Sequence, residues 1–201
     1  MKLENLLKKS LLATGAAALL AGCGTPAGES TPEPTPAPEA SLETQGAQLL
    51  AACDPVELEE VVEHACIHAE LGPFEAVTAS ALGAPVLVDV SAPHTAYNVT
   101  LPPTNYCGWG GRLAFIPEES GELAFLVSRH RGLRIFEAAT GTEVARECRY
   151  NVPSTVCSSL KTGILADVEG GTEYHLQFLS LTPGNAQFRL VVEEAGHHHE
   201  E

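Results

Sequence analysis

Basic side chains are scarce in this chain, at 11 Lys and Arg against 26 Asp and Glu. That shortage, with a formal net charge of −15, excludes a nucleic-acid surface, because phosphate contacts need clustered cations. Aromatic residues are few, so stacking on single strands is no alternative. The only Met is the initiator, which removes the thioether ligands that favour cuprous ions. No Cys-x-x-Cys pair occurs, and its absence excludes a zinc ribbon, a thioredoxin-type motif and c-type haem attachment. Gly-x-Ser-x-Gly, a phosphate-binding glycine loop and Ser-x-x-Lys are also missing, which leaves nucleophilic catalysis without support and points to a non-enzyme. His64 is followed by Ala65 rather than Glu, so a zincin-type protease lacks its base. Glu118-Glu119 is a carboxylate pair before a turn, and it reads as a solvated loop.

The N-terminus supplies a compartment. Lys2, Lys8 and Lys9 precede an apolar stretch from Leu11 to Ala21, too short to span a bilayer and shaped like an export signal. It ends in Leu20-Ala21-Gly22-Cys23. This resembles the lipobox of bacterial lipoproteins, which implies cleavage before Cys23, lipidation of that cysteine with palmitate-type chains, and stable membrane attachment. In that family an Asp after the cysteine favours the inner membrane; Gly24 stands here, implying the outer membrane where a cell has two. Residues 1–22 hold three of the basic side chains and one acidic one, so the mature chain carries 8 against 25, a charge of −17.

Residues 23–48 are Thr, Pro, Glu, Ala and Ser, with Pro26, Pro32, Pro34, Pro36 and Pro38 among them. A segment with so little to bury is expected to be a disordered, extended tether, reaching about 60–75 Å from the lipid. Residues 49–194 are expected to form the folded domain and 195–201 a His/Glu tail.

The domain opens on a helix. Asp54 is a candidate cap, Pro55 suits the first helical position, and Gly72-Pro73 ends it. Leu58, Val62, Ala65, Cys66 and Ala69 share one side, with Glu57, Glu60, His64 and His68 on the other. Strand-like runs follow, separated by Gly, Pro and Asn at roughly 8–12 residues. They are read at 74–81, 85–91, 97–101, 112–116, 122–128, 133–138, 143–148, 163–168, 173–179 and 187–193. The fold expected is mainly β, an antiparallel sandwich or jelly roll with one N-terminal amphipathic helix. In the last hundred residues "VEGGTEYHLQF" and "FRLVVEE" resemble the β-sandwich of bacterial pre-peptidase C-terminal-type domains, which implies a non-catalytic appendage of a secreted protein.

With Cys23 assigned to lipid, five cysteines remain, and export favours disulfides. Cys148 and Cys157 flank a Pro-containing loop between two strand-like segments, so their pairing is expected to pin a hairpin. Cys53 and Cys66 are excluded as a pair if the helix runs unbroken from Pro55, since its rise separates them by about 18 Å. Cys107, in "NYCGWGG", is a candidate partner for either.

Eight histidines carry the remaining chemistry. His64 and His68, one turn apart, can present imidazoles to a single ion, with Glu60 as a candidate oxygen ligand and His94 as the candidate fourth. His197, His198 and His199 form a further chelating tract, weaker and dependent on neutral imidazoles. The implied metals are zinc, copper(II) or nickel. The competing view makes His64 and His68 merely solvated. His130, between Arg129 and Arg131, sits where a metal is repelled and reads as a turn residue with an anion or partner contact; His175 reads as structural. The expectation is a lipid-anchored envelope protein binding a divalent metal. Its alternative is an envelope interaction module for a protein or glycan partner, with incidental histidines.

Overall fold

A computed structural model describes residues 51–195, apart from Asp54, Tyr106 and Arg131. The leader, Cys23, the tether, the Asp54 cap and His197, His198 and His199 lie outside the described residues. In chain order the elements are β1 (Ala51–Ala52), α1 (Pro55–Leu71), β2 (Phe74–Thr78), β3 (Ser80–Ala81), β4 (Ala96–Thr100) and β5 (Trp109–Phe115). They continue as β6 (Gly121–Val127), β7 (Arg134–Glu137), β8 (Cys148–Asn151), β9 (Thr162–Val168), β10 (Tyr174–Ser180), a 3-10 turn and β11 (Gln187–Glu194).

The strands form two sheets, one of seven in the order β1-β8-β9-β6-β11-β4-β2 and one of four in the order β3-β5-β10-β7. The protein is thus mainly β, a sandwich with one helix, as the alternating runs imply. Pairing is antiparallel except for β1 with β8 and β2 with β4. Three expected strands are different in the structure: the one expected at 74–81 breaks at Ala79 into β2 and β3, which join different sheets. Residues 85–91 follow β5 through only two backbone bonds, Val90 N–H to Ala114 O and Ala114 N–H to Val88 O, and form no strand. At 143–148 Glu143 bridges Phe136 and Val144 N–H donates to Ile135 O, both on β7, before the segment crosses to β9 with Glu147 N–H donating to Leu165 O; the regular pairing begins at Cys148.

Alternation along the seven-stranded sheet builds two cores. On β6, Leu123, Phe125 and Val127 face the second sheet; on β11, Phe188 and Leu190 do the same. The intervening Ala124, Leu126 and Val191 face α1 instead. The helix answers with Leu58, Val61, Val62, Ala65 and Ala69, all buried, and the two alanines let its backbone lie close to the sheet. Gly72, at φ 84°, caps its C-terminus by donating its N–H to His68 O at 2.9 Å.

The disulfides correct the expected hairpin. Cys53 bonds Cys148 and Cys66 bonds Cys157, leaving Cys107 free and exposed. All four bonded cysteines lie in the layer between α1 and the sheet. Cys148 and Cys157 therefore reach across to the helical segment rather than to each other. Cys53 and Cys66 stay apart because the helix is unbroken.

Candidate metal centre

His64 and His68 occupy successive turns of α1, at the edge of its buried face rather than on its outer side. Across from them, the alternation of β11 that buries Val191 against the helix sends Glu193 the same way two residues later. His94 arrives from the turn before β4, at φ 52°, a left-handed conformation that a non-glycine residue adopts at a cost. That turn is held on both sides. Ala92 N–H donates to Tyr97 Oη at 2.9 Å, and Thr95 Oγ1 donates to Pro93 O at 3.0 Å.

The four side chains converge, with one ligand atom from each lying within 4.8 Å of the others. His64 Nε2 is 3.2 Å from His68 Nε2, and His64 Nδ1 is 3.2 Å from Glu193 Oε2. His68 Nε2 stands 3.9 Å from Glu193 Oε1, and His94 Nδ1 3.9 Å from Glu193 Oε2. Around a tetrahedral zinc with bonds of about 2.0–2.1 Å, donors stand about 3.3 Å apart. His64 offers an ion only one of its two nitrogens, so the single donors of the four residues, up to 4.8 Å apart, must draw in by as much as about 1.5 Å to reach that spacing.

The protons of the group explain why it suits a cation. His68 Nδ1 lies 3.4 Å from the Gly72 carbonyl, which can only accept; in the neutral tautomer with the proton on Nδ1, the Nε2 lone pair faces the group. A neutral His64 then has one N–H for two acceptors, His68 Nε2 and Glu193 Oε2. Glu193 is 6% exposed as a side chain, and its Oε1 has no hydrogen-bond partner. Burial pushes the Glu193 carboxyl above its ordinary range; the charge that His68 and His94 carry when protonated pulls it down, and Glu194 adds to the rise. A positive ion among these lone pairs would satisfy every one of them. Three imidazoles and one carboxylate, without sulfur, form a donor set suited to zinc, copper(II) or nickel.

His64 and His94, half exposed, open with Glu193 onto a 360 Å³ cavity walled by Val90, Phe115 and Leu123. Of the expected ligands, His64, His68 and His94 come together. Glu60 is exposed and stands outside the group, its oxygen replaced by that of Glu193. The sequence signal for Glu193 was its phase, a glutamate two positions after a buried Val191 on the same face of a strong strand. A second cluster, Cys66, Glu70 and Cys157, offers no thiolate because both sulfurs are in the disulfide. His175 pairs with Glu173 at 3.4 Å on β10, and His130 Nδ1 lies 3.4 Å from Thr162 Oγ1. Glu118 and Glu119 are exposed at the rim of the cavity. No protein-family model matches the chain, and no curated protein matches it.

Proposed function

We propose that the protein is a non-enzymatic, lipid-anchored envelope component that binds one divalent transition ion, zinc, copper(II) or nickel, at His64, His68, His94 and Glu193. The observation that carries the metal reading is the buried Glu193 carboxylate, with one oxygen lacking any donor, set against three imidazoles. Export and anchoring rest on the Leu20-Ala21-Gly22-Cys23 motif, and absence of catalysis on the missing nucleophile motifs. His197, His198 and His199 add a weaker chelating tract whose first histidine follows Glu193 by four residues, close enough along the chain to pass ions to the fixed site.

Calorimetry on chelator-stripped mature protein tests the reading with each of the three ions. One ion should bind on the order of micromolar or tighter, with weaker uptake by the tail. Deleting residues 197–201 should lower the stoichiometry and keep the tight site, whereas His64→Ala with His68→Ala should abolish it. A tail-deleted protein that takes up no metal would refute the site. For the anchor, Cys23→Ser should move the protein from the detergent phase to the aqueous phase in an exporting bacterial host.

A further inference from the structure

Beyond residue 22 the chain has eight basic side chains, with Lys161 the sole lysine. Three of them, Arg129, Lys161 and Arg189, line one 600 Å³ groove on the outer face of the seven-stranded sheet. The alternation that sends Val99 and Phe188 inward turns Asn98, Thr100, Gln187 and Arg189 outward to form its floor. Its wall is Ser128 and Arg129, just past β6, together with segment 158–161, which begins next to the Cys66–Cys157 tie to α1.

In so acidic a protein, the pairing of these cations is unusual. Among the described residues none of the three forms an ion pair with a carboxylate. Neutral groups hold them instead. Arg189 donates to Asn98 Oδ1 at 3.2 Å and to the Ala69 carbonyl, and its guanidinium lies 4.7 Å over the Phe74 ring. Lys161 Nζ donates to Ser158 O at 2.9 Å. The carboxylate nearest by bonding is Glu70, which accepts from Ser159 Oγ at 2.9 Å and does not line the groove. Their positive charge thus remains available to an incoming anion.

The rest of the lining is mostly hydroxyl and amide, from Asn98, Thr100, Ser128, Ser158, Ser159 and Gln187; Ala76 adds one small apolar side chain, while Val99 and Phe188 are turned into the core. Such a surface offers little apolar area to an incoming ligand. It offers many neutral hydrogen bonds around a cationic trio, at a volume within the roughly 300–1,000 Å³ of small-molecule sites. We infer that this groove binds an acidic saccharide, its carboxylate or phosphate held by Arg129, Lys161 and Arg189 and its ring hydroxyls by the serine, threonine and amide side chains. The inference does not depend on the metal reading. Arg189 and Glu193 share a face of β11 about 13 Å apart, so the two sites occupy separate places on one strand.

Calorimetry on the mature protein tests it with digalacturonic acid as carboxylate source and glucose 6-phosphate as phosphate source, against cellobiose and inorganic phosphate. At least one acidic sugar should bind about tenfold or more tightly than cellobiose and inorganic phosphate, and added salt should weaken it. Arg129→Ala with Lys161→Ala should lower that affinity at least about tenfold, with the zinc titration and melting temperature unchanged. Failure of both acidic sugars to bind, or undiminished binding by the double variant, overturns the inference. Inorganic phosphate binding as tightly as the sugars overturns it too, leaving an anion site with no saccharide recognition.

Discussion

A carboxylate that is 6% exposed, with one oxygen lacking a donor, opposes folding unless a cation meets it. Glu193→Gln removes the charge, keeps the shape and gives His64 Nδ1 a donor. Urea unfolding of the metal-free variant should therefore show a gain of about 1–3 kcal/mol, which comes from removing the buried charge, since the Gln oxygen in the Oε1 position still lacks a donor. Zinc affinity should fall in the same variant. Opposite signs for stability and binding are what a ligand residue produces; a loss of both would make Glu193 simply structural. Tyr97 acts one step further out, since its hydroxyl receives the Ala92 N–H beside the left-handed His94. Tyr97→Phe should cost about 1 kcal/mol in stability and also weaken zinc binding, with His94→Ala on the Tyr97→Phe background adding less than it does alone.

At the scale of elements, the position of α1 decides whether His64 and His68 face Glu193, and two crosslinks fix that position. Cys53–Cys148 holds the chain just ahead of the helix and Cys66–Cys157 holds its middle, closing sequence separations of 95 and 91 residues. Removing Cys66–Cys157 by paired Ala substitution should cost about 2–5 kcal/mol in denaturant unfolding and weaken zinc binding, although neither cysteine is a ligand. Unchanged zinc affinity would show that apolar packing alone seats the helix. Much of this layer was legible in the sequence. Pro55 and Gly72-Pro73 bounded the helix, its apolar spacing identified the buried side, and the interval from His64 to His68 identified the candidate ligands. The crosslinks were not legible, because Cys148 and Cys157 are near each other in sequence while their partners sit some ninety residues away on another layer. Glu193 was hidden for a related reason. A glutamate at the end of a strand reads as solvated until the helix is known to cover that face of β11. The strand expected at 143–148 failed because apolar alternation does not reveal a change of partner: Glu143 and Val144 bond to β7 and Glu147 to β9, so no single neighbour runs along the whole segment.

Over the whole molecule the dominant electrostatic fact is excess negative charge, and the sheet concentrates some of it. Glu122 and Asp167 are direct cross-strand partners on β6 and β9, an arrangement that like charges disfavour. Glu147, whose N–H donates to Leu165 O just before β8, brings a third carboxyl to the same end of the sheet. Hydrogen bonding to Glu122 and then to Asp167, with burial and their charges adding, raises the Glu147 carboxyl from 4.5 to about 7. The sign follows from proton counting. Between these two values the folded protein keeps a proton that the unfolded chain has lost, so this group's contribution is fully present below pH 4.5 and disappears as pH rises through 7. Stability should therefore decline from pH 5 to 8, and the decline should be shallower in Glu147→Gln, which retains a hydrogen-bonding side chain without the titration. Because Glu147 is exposed, the difference should shrink as salt is raised. Urea midpoints of the two proteins, measured across that range at low and high ionic strength, provide the check. Parallel pH profiles would mean that Glu122, Glu147 and Asp167 share no proton in the folded protein.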